Sequence, residues 1–252
     1  MPDMFATLKR HYGLLRSLLI YRRPGRQAAL RRFYRPFIKP GDLVFDIGAH
    51  LGDRSSAFAG LGARVVALEP QPQLLAWLER LVGGTDRVTC LPQAVGAQPG
   101  RLELATSRTN PTVASLSPAW RAQVAQARSG FAGVNWDSQV SVEVTTLDAL
   151  IEEYGEPVFC KIDVEGFEPE VLAGLSRPLA ALSLEFVAGA LDQALACVAR
   201  LEALAGYRYQ IAAGEQRRFF LADWVDATTI IGWLEAGADG LASGDLYARR
   251  SD

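Results

Sequence analysis

The segment Leu43–Pro70, LVFDIGAHLGDRSSAFAGLGARVVALEP, constrains this chain more than any other. A short apolar run (LVFDI) ends at Gly48, a small-residue stretch Asp53–Gly60 follows, and a second apolar run (ARVVAL) ends in an acid. Continuous apolar runs bounded by glycine read as strands covered on both faces, and the segment between them is long enough for one helix. RVTCL, PVFCKI and LAALSLEFV repeat the strand pattern, and PQLLAWLERLV and LDQALACVARLEALAG carry leucines at helical spacing, the second stopped at Gly206. Alternation of this kind builds an α/β domain, a parallel sheet with helices on both faces. Near the end, YRYQIA and DLYARR read as two further strands around helix-like DATTIIGWLEAGA.

Two segments depart from that rhythm. GRLELAT and VSVEVTTL alternate apolar and polar residues, as strands with one wet face do. The connection between them, about residues 106–139, is rich in Ser, Thr, Asn, Gly and Ala. A connection that long in a compact domain is expected to cover the active site.

The glycine turn does not suit a phosphate. A dinucleotide fingerprint needs a middle glycine for close approach of the pyrophosphate, and His50 stands there. No Walker lysine follows, and Asp46 brings a negative charge to the mouth of the turn. A ligand with a carboxylate, an amine and a sulfonium suits it better. Backbone N–H groups at the helix start would take the carboxylate, Asp46 the cationic end, and Glu69, ending the second strand, the ribose hydroxyls. That ligand is S-adenosylmethionine.

A second block, CKIDVEGFEPEVL, sets Lys161, Asp163 and Glu165 at alternate positions where a strand gives way to a loop. Alternate residues share a side, so Asp163 and Glu165 are expected in the crevice at the carboxyl ends of the strands. Lys161, in so apolar a strand, is expected to pair with a carboxylate. Glu168 and Glu170 read as exposed acids of a first helical turn.

VFDIGAHLGDRSSAFA, VVALEPQP, TTLDAL, CKIDVEGFEPEVLAGL and the closing GDLYARR resemble the successive motifs of the FkbM-type methyltransferase family, from about Leu43 to Arg250. The resemblance implies a class I methyltransferase (Rossmann-like) fold with a seven-stranded, mostly parallel sheet whose last strand is antiparallel. It implies S-adenosylmethionine as methyl donor and a hydroxyl acceptor, often on a sugar. His50 departs from it, standing where the family most often has asparagine.

The expected cofactor contacts are Asp46, Gly48, Ala49, His50, Gly52, Glu69, Gln93, Ala94 and Asp163, and the expected catalytic residues are Asp163 and Glu165. Glu185 ends a strand beside Asp163, as half of a divalent-metal site would, but Phe186 follows it in place of a further ligand. No essential metal is expected. A cofactor-binding protein without turnover and an NAD-dependent oxidoreductase are the competing readings. Asp46 and His50 weigh against the second.

Charge divides the chain. Residues 1–40 hold ten Lys and Arg against Asp3 alone, so the body, 41–252, is acidic. We read 1–40 as a basic helical extension packing beside the sheet through Phe33, Tyr34, Phe37 and Tyr21, with contact to an anionic membrane surface as a second reading. Nucleic acid is not expected, because the basic segment lacks the stacking pattern of an RNA module and no amino-group methylation motif ends the fourth strand. Cys90, Cys160 and Cys197 form no metal or disulfide spacing and suit a reducing cytoplasm. The acceptor is expected to be a small molecule or saccharide. The oligomeric state stays open.

Overall fold

A computed structural model describes residues 23–251 apart from 83, 85, 111, 112 and 127–132. Tyr21 and the rest of residues 1–22 lie outside the described residues.

In chain order the elements are α1 (Arg26–Tyr34), β1 (Leu43–Ile47), α2 (Asp53–Gly60), β2 (Arg64–Leu68), α3 (Pro72–Val82), β3 (Val88–Leu91), β4 (Gln93–Val95), β5 (Gly100–Thr106) and β6 (Ala114–Ser115). After these come α4 (Pro118–Gln126), β7 (Ser138–Thr145), α5 (Leu147–Tyr154), β8 (Phe159–Ile162), α6 (Glu168–Ala173), β9 (Ala181–Val187), α7 (Leu191–Leu204), β10 (Tyr207–Ala213), α8 (Ala227–Glu235) and β11 (Ser243–Arg250). Seven strands form the main sheet in the order β10-β11-β9-β8-β1-β2-β3. All neighbours in it run parallel except β11, which is antiparallel to both β9 and β10.

Two apolar layers sandwich this sheet. On one face Phe45, Ile47, Ile162, Leu182 and Leu184 pack against α5, α6 and α7 through Leu150, Leu172 and Val198. On the other, Val44, Val65 and Phe159 meet Phe58 of α2 and Leu30, Tyr34 and Ile38 of the α1 region. Strands buried on both faces need apolar side chains at every position, which is why LVFDI and PVFCKI do not alternate. Phe33, Tyr34 and Phe37 join Phe159, Phe219 and Tyr247 in a ring cluster with centroids 5.2–6.3 Å apart, in edge-to-face, tilted and stacked pairs. Arg26 clamps the same region by pairing with Asp53 at 2.6 Å and Glu215 at 2.9 Å. Residues 26–38 are therefore built into the domain.

The two alternating segments, as β5 and β7, join β4 and β6 in a separate four-stranded sheet, β4-β7-β5-β6, that the sequence did not announce as a unit. Leu104, Val142, Val144 and Ala94 are its small core. From it the chain enters α5 under the Thr146 hydroxyl, which accepts the Ala149 N–H at 3.1 Å, an N-cap made by the TTLDAL motif. Among the described residues no helix is long and apolar enough to cross a membrane.

Candidate active site

The order of the sheet fixes where a ligand can sit. From β1 the chain crosses to β2 on one side, while β8 pairs on the other, and the crevice outside such a switch point collects loops from both directions. A cavity of about 580 Å³ opens there, within the range of small-molecule sites. Gly48, His50, Glu69, Gln93, Ala94, Asp163 and Glu165 line it, together with Glu185.

Gly48 follows β1 at φ +78°, and a side chain there would lie 1.9 Å from the carbonyl oxygen of Asp163. The turn after β1 and the loop after β8 thus press together across the crevice, and only glycine leaves room. His50 also has positive φ, +53°. Histidine and asparagine are both enriched in that region among non-glycine residues.

Glu69 is fixed by two backbone donors. The His50 N–H reaches Oε2 at 3.0 Å and the Gln71 N–H reaches Oε1 at 2.9 Å. Burial lifts its carboxyl to about 7 against these N–H groups. Each oxygen keeps a further lone pair, so a bidentate acceptor faces the cavity at the end of β2, suited to a vicinal diol.

Across the crevice, Lys161 leaves β8 buried and pairs with Asp163 at 2.6 Å. Burial pulls the ammonium down, but Asp163, ahead of Asp245 and Asp46, more than reverses this and holds it charged. Burial alone would raise Asp163, and Lys161 overturns that and keeps it ionised. Among the described residues Glu165 and Glu185 form no ion pair, and Glu185 shares a hydrogen bond with Asp163. Burial and then the charge on Asp163 push both well above the usual carboxylate range. One oxygen from each of Asp163, Glu165 and Glu185 lies within 4.8 Å of the others, a spacing that shared protons or a bound cation would satisfy.

Strand alternation led to the right crevice for a reason that holds only in part. Asp163 lies beyond the end of β8, and Glu165 is placed by a left-handed φ of +53° rather than by a pleat. Glu168 corrects the expectation of an exposed acid. It is buried, its Oε1 accepts the Val164 N–H at 3.0 Å, and burial lifts it to about 7. Glu170 is exposed.

Three expected cofactor residues lie off the cavity wall. Asp46 is buried under the turn, where it accepts a hydrogen bond from the Ser55 hydroxyl. The Ala49 N–H donates to Leu68 and the Gly52 N–H to Ala49, so both shape the turn. His50 is on the wall, and burial depresses its imidazole to about 4, Asp163 opposing. It is neutral near pH 7.

Part of the wall was not foreseen by residue. Leu104 and Ala114 of the second sheet, with Val113 and Leu116 flanking β6, close one side, and Phe167 another. Only the alternating pattern around the 106–139 connection hinted at them. That connection also grips the acidic loop. The Ser115 hydroxyl donates to the Glu165 carbonyl at 2.7 Å, and the ring of Trp120 occupies the space that a side chain on Gly166 would need.

A model of the methyltransferase FkbM domain matches residues 46–209. The chain belongs to the FkbM methyltransferase family. Members carry a class I methyltransferase domain whose methyl donor is S-adenosylmethionine. The carboxylate of Glu69, the glycine cradle and the cavity fit that donor. The hexuronic acid methyltransferase AglP of Haloferax volcanii is 27% identical over 150 residues, 58% of this chain and 55% of that protein. The match thus spans about half the relative's length. Among solved structures, the precorrin-6y C5,15-methyltransferase of Geobacter metallireducens aligns over 89% of this chain and 88% of its own, with 15% identity and a TM-score of 0.47. A TehB-like methyltransferase of Corynebacterium glutamicum aligns over 88% of each chain, with 11% identity and a TM-score of 0.44.

Proposed function

We propose that this FkbM-family chain transfers a methyl group from S-adenosylmethionine to a hydroxyl oxygen of a saccharide. The observation that carries the reading is a single cavity with two chemically different ends. Glu69 presents a diol acceptor beside Gly48, and Asp163 with Glu165 presents carboxylates opposite. The sulfonium donor, when bound, supplies an electrophilic methyl carbon and leaves as a neutral thioether, the sulfur keeping the electron pair of the broken bond.

The chain's own residues do the rest. Glu69 and the turn from Gly48 to His50 orient the donor. Asp163, held ionised by Lys161, accepts the hydroxyl proton as the acceptor oxygen gains its bond to carbon. Glu165 aligns that hydroxyl. The 106–139 connection shields the reacting atoms through Val113, Ala114 and Leu116. A saccharide acceptor is supported by the relative's activity toward a hexuronic acid. The buried thiols Cys160 and Cys197 suit a reducing cytoplasm. We also propose that the basic residues 1–40 meet anionic membrane surfaces, which vesicle co-sedimentation with and without residues 1–22 would check.

The test of the chemistry is transfer of labelled methyl to candidate glycans by the native chain and by Asp163→Asn. Loss of the base should lower turnover by roughly 10²–10⁴-fold. An Asp163→Asn protein with native turnover would remove the assigned role.

A further inference from the structure

The acceptor end of the cavity has a charge problem, and its solution specifies the substrate. Sheet order divides the crevice. Gly48, Glu69 and Ala94 stand on the β1-β2-β3 side, and Asp163, Glu165 and Glu185 on the β8-β9 side. If the donor occupies the first, the acceptor is left with the second, where three carboxyl groups come within 4.8 Å of one another. Lys161, a cation beside them, is already paired with Asp163. No lysine or arginine lines the cavity among the described residues. The Oε2 atom of Glu165 is buried and has no hydrogen-bond partner among them. Burial and then the charge on Asp163 raise both Glu165 and Glu185 well above the usual carboxylate range.

We propose that this end of the cavity selects a hydroxyl carried by an amino sugar, whose ammonium group sits between Glu165 and Glu185, and disfavours a uronate. The inference rests on the methyl-transfer reading of the same site. An ammonium brings three donors and one positive charge to a carboxyl cluster in which the Glu165 Oε2 atom has no hydrogen-bond partner among the described residues. A neutral sugar brings donors without charge. A uronate adds a negative charge beside Asp163, the arrangement that like-charge repulsion penalises. This chain would then differ in acceptor charge from its hexuronic-acid-methylating relative.

The experiment uses the full chain saturated with S-adenosylhomocysteine, titrated calorimetrically with glucosamine, glucose and glucuronate, first with a chelator present and then with magnesium. Glucosamine should bind tighter than glucose by about tenfold, the yield of one added charge-assisted contact, with glucuronate weakest. Glu185→Gln should erase most of the advantage of glucosamine over glucose, and Glu165→Gln provides a second variant should the first not fold. Failure of S-adenosylhomocysteine itself to bind would count against the methyl-transfer reading. If it binds but glucosamine does not, or if glucuronate is preferred, the amino-sugar inference is overturned. A preference for glucuronate that appears only with magnesium also overturns it, and assigns the three acids to a metal.

Discussion

Replacing His50 by asparagine separates position from acid–base chemistry in the turn. The residue sits at φ +53°, which asparagine tolerates, and the bond to Glu69 comes from its backbone N–H, which survives the exchange. Stability near pH 7 should therefore change little. Lower pH is different. The imidazole titrates at about 4 in the folded chain, pulled down by burial, against 6.5 in the unfolded one. A depressed folded value means that the unfolded chain takes up the proton first. The native protein thus loses stability as pH falls from about 6.5 toward 4, and is whole above that window. Linkage between those two values puts the loss near pH 5 at about 2 kcal/mol. His50→Asn lacks this group, so denaturant titrations near pH 7 and pH 5 should show the variant losing about 2 kcal/mol less than native. Methyl-transfer activity should persist in the variant, since a neutral imidazole is not the proton acceptor assigned here. Equal losses in both proteins would refute the burial argument. A variant that binds S-adenosylhomocysteine normally but turns nothing over would return His50 to the role of base.

Three further outcomes follow from the same geometry. Glu69→Ala should weaken S-adenosylhomocysteine binding by roughly 1–3 kcal/mol, the cost of unpaired ribose hydroxyls, and unchanged affinity by calorimetry would remove the diol assignment. Lys161→Met should lower unfolding free energy by about 3–5 kcal/mol, because Asp163, Asp46 and Asp245 lose the buried cation they share, and a native-like denaturation midpoint would contradict that network. Ser115→Ala removes the donor to the Glu165 carbonyl. It should cut kcat by about tenfold, as expected for one lost positioning bond, leave S-adenosylhomocysteine affinity intact, and be partly rescued by Ser115→Thr.

Much of this protein is local, and local features are legible in a sequence. Strands buried on both faces must be apolar at every position, so β1, β2, β8 and β9 stood out in the chain. Gly48 and Glu69 mark where strands end and crevice loops begin, which pointed to the turn and to its ligand. Asp163 and Glu165 were found through their spacing, although backbone torsion beyond β8, not strand pleat, sets Glu165. What depended on distant partners stayed hidden. Glu168 looks like a solvated acid of a helical first turn until Val164 folds over it. Asp46 looks like a ligand for a cation until Ser55 and Lys161 are brought against it from other elements. The second sheet, the contact of Ser115 with Glu165 and the meeting of Glu185 with Asp163 join residues far apart in the chain. Residue pattern records which face each segment must bury; only the closed tertiary structure decides which charges are then left facing one another across the cavity.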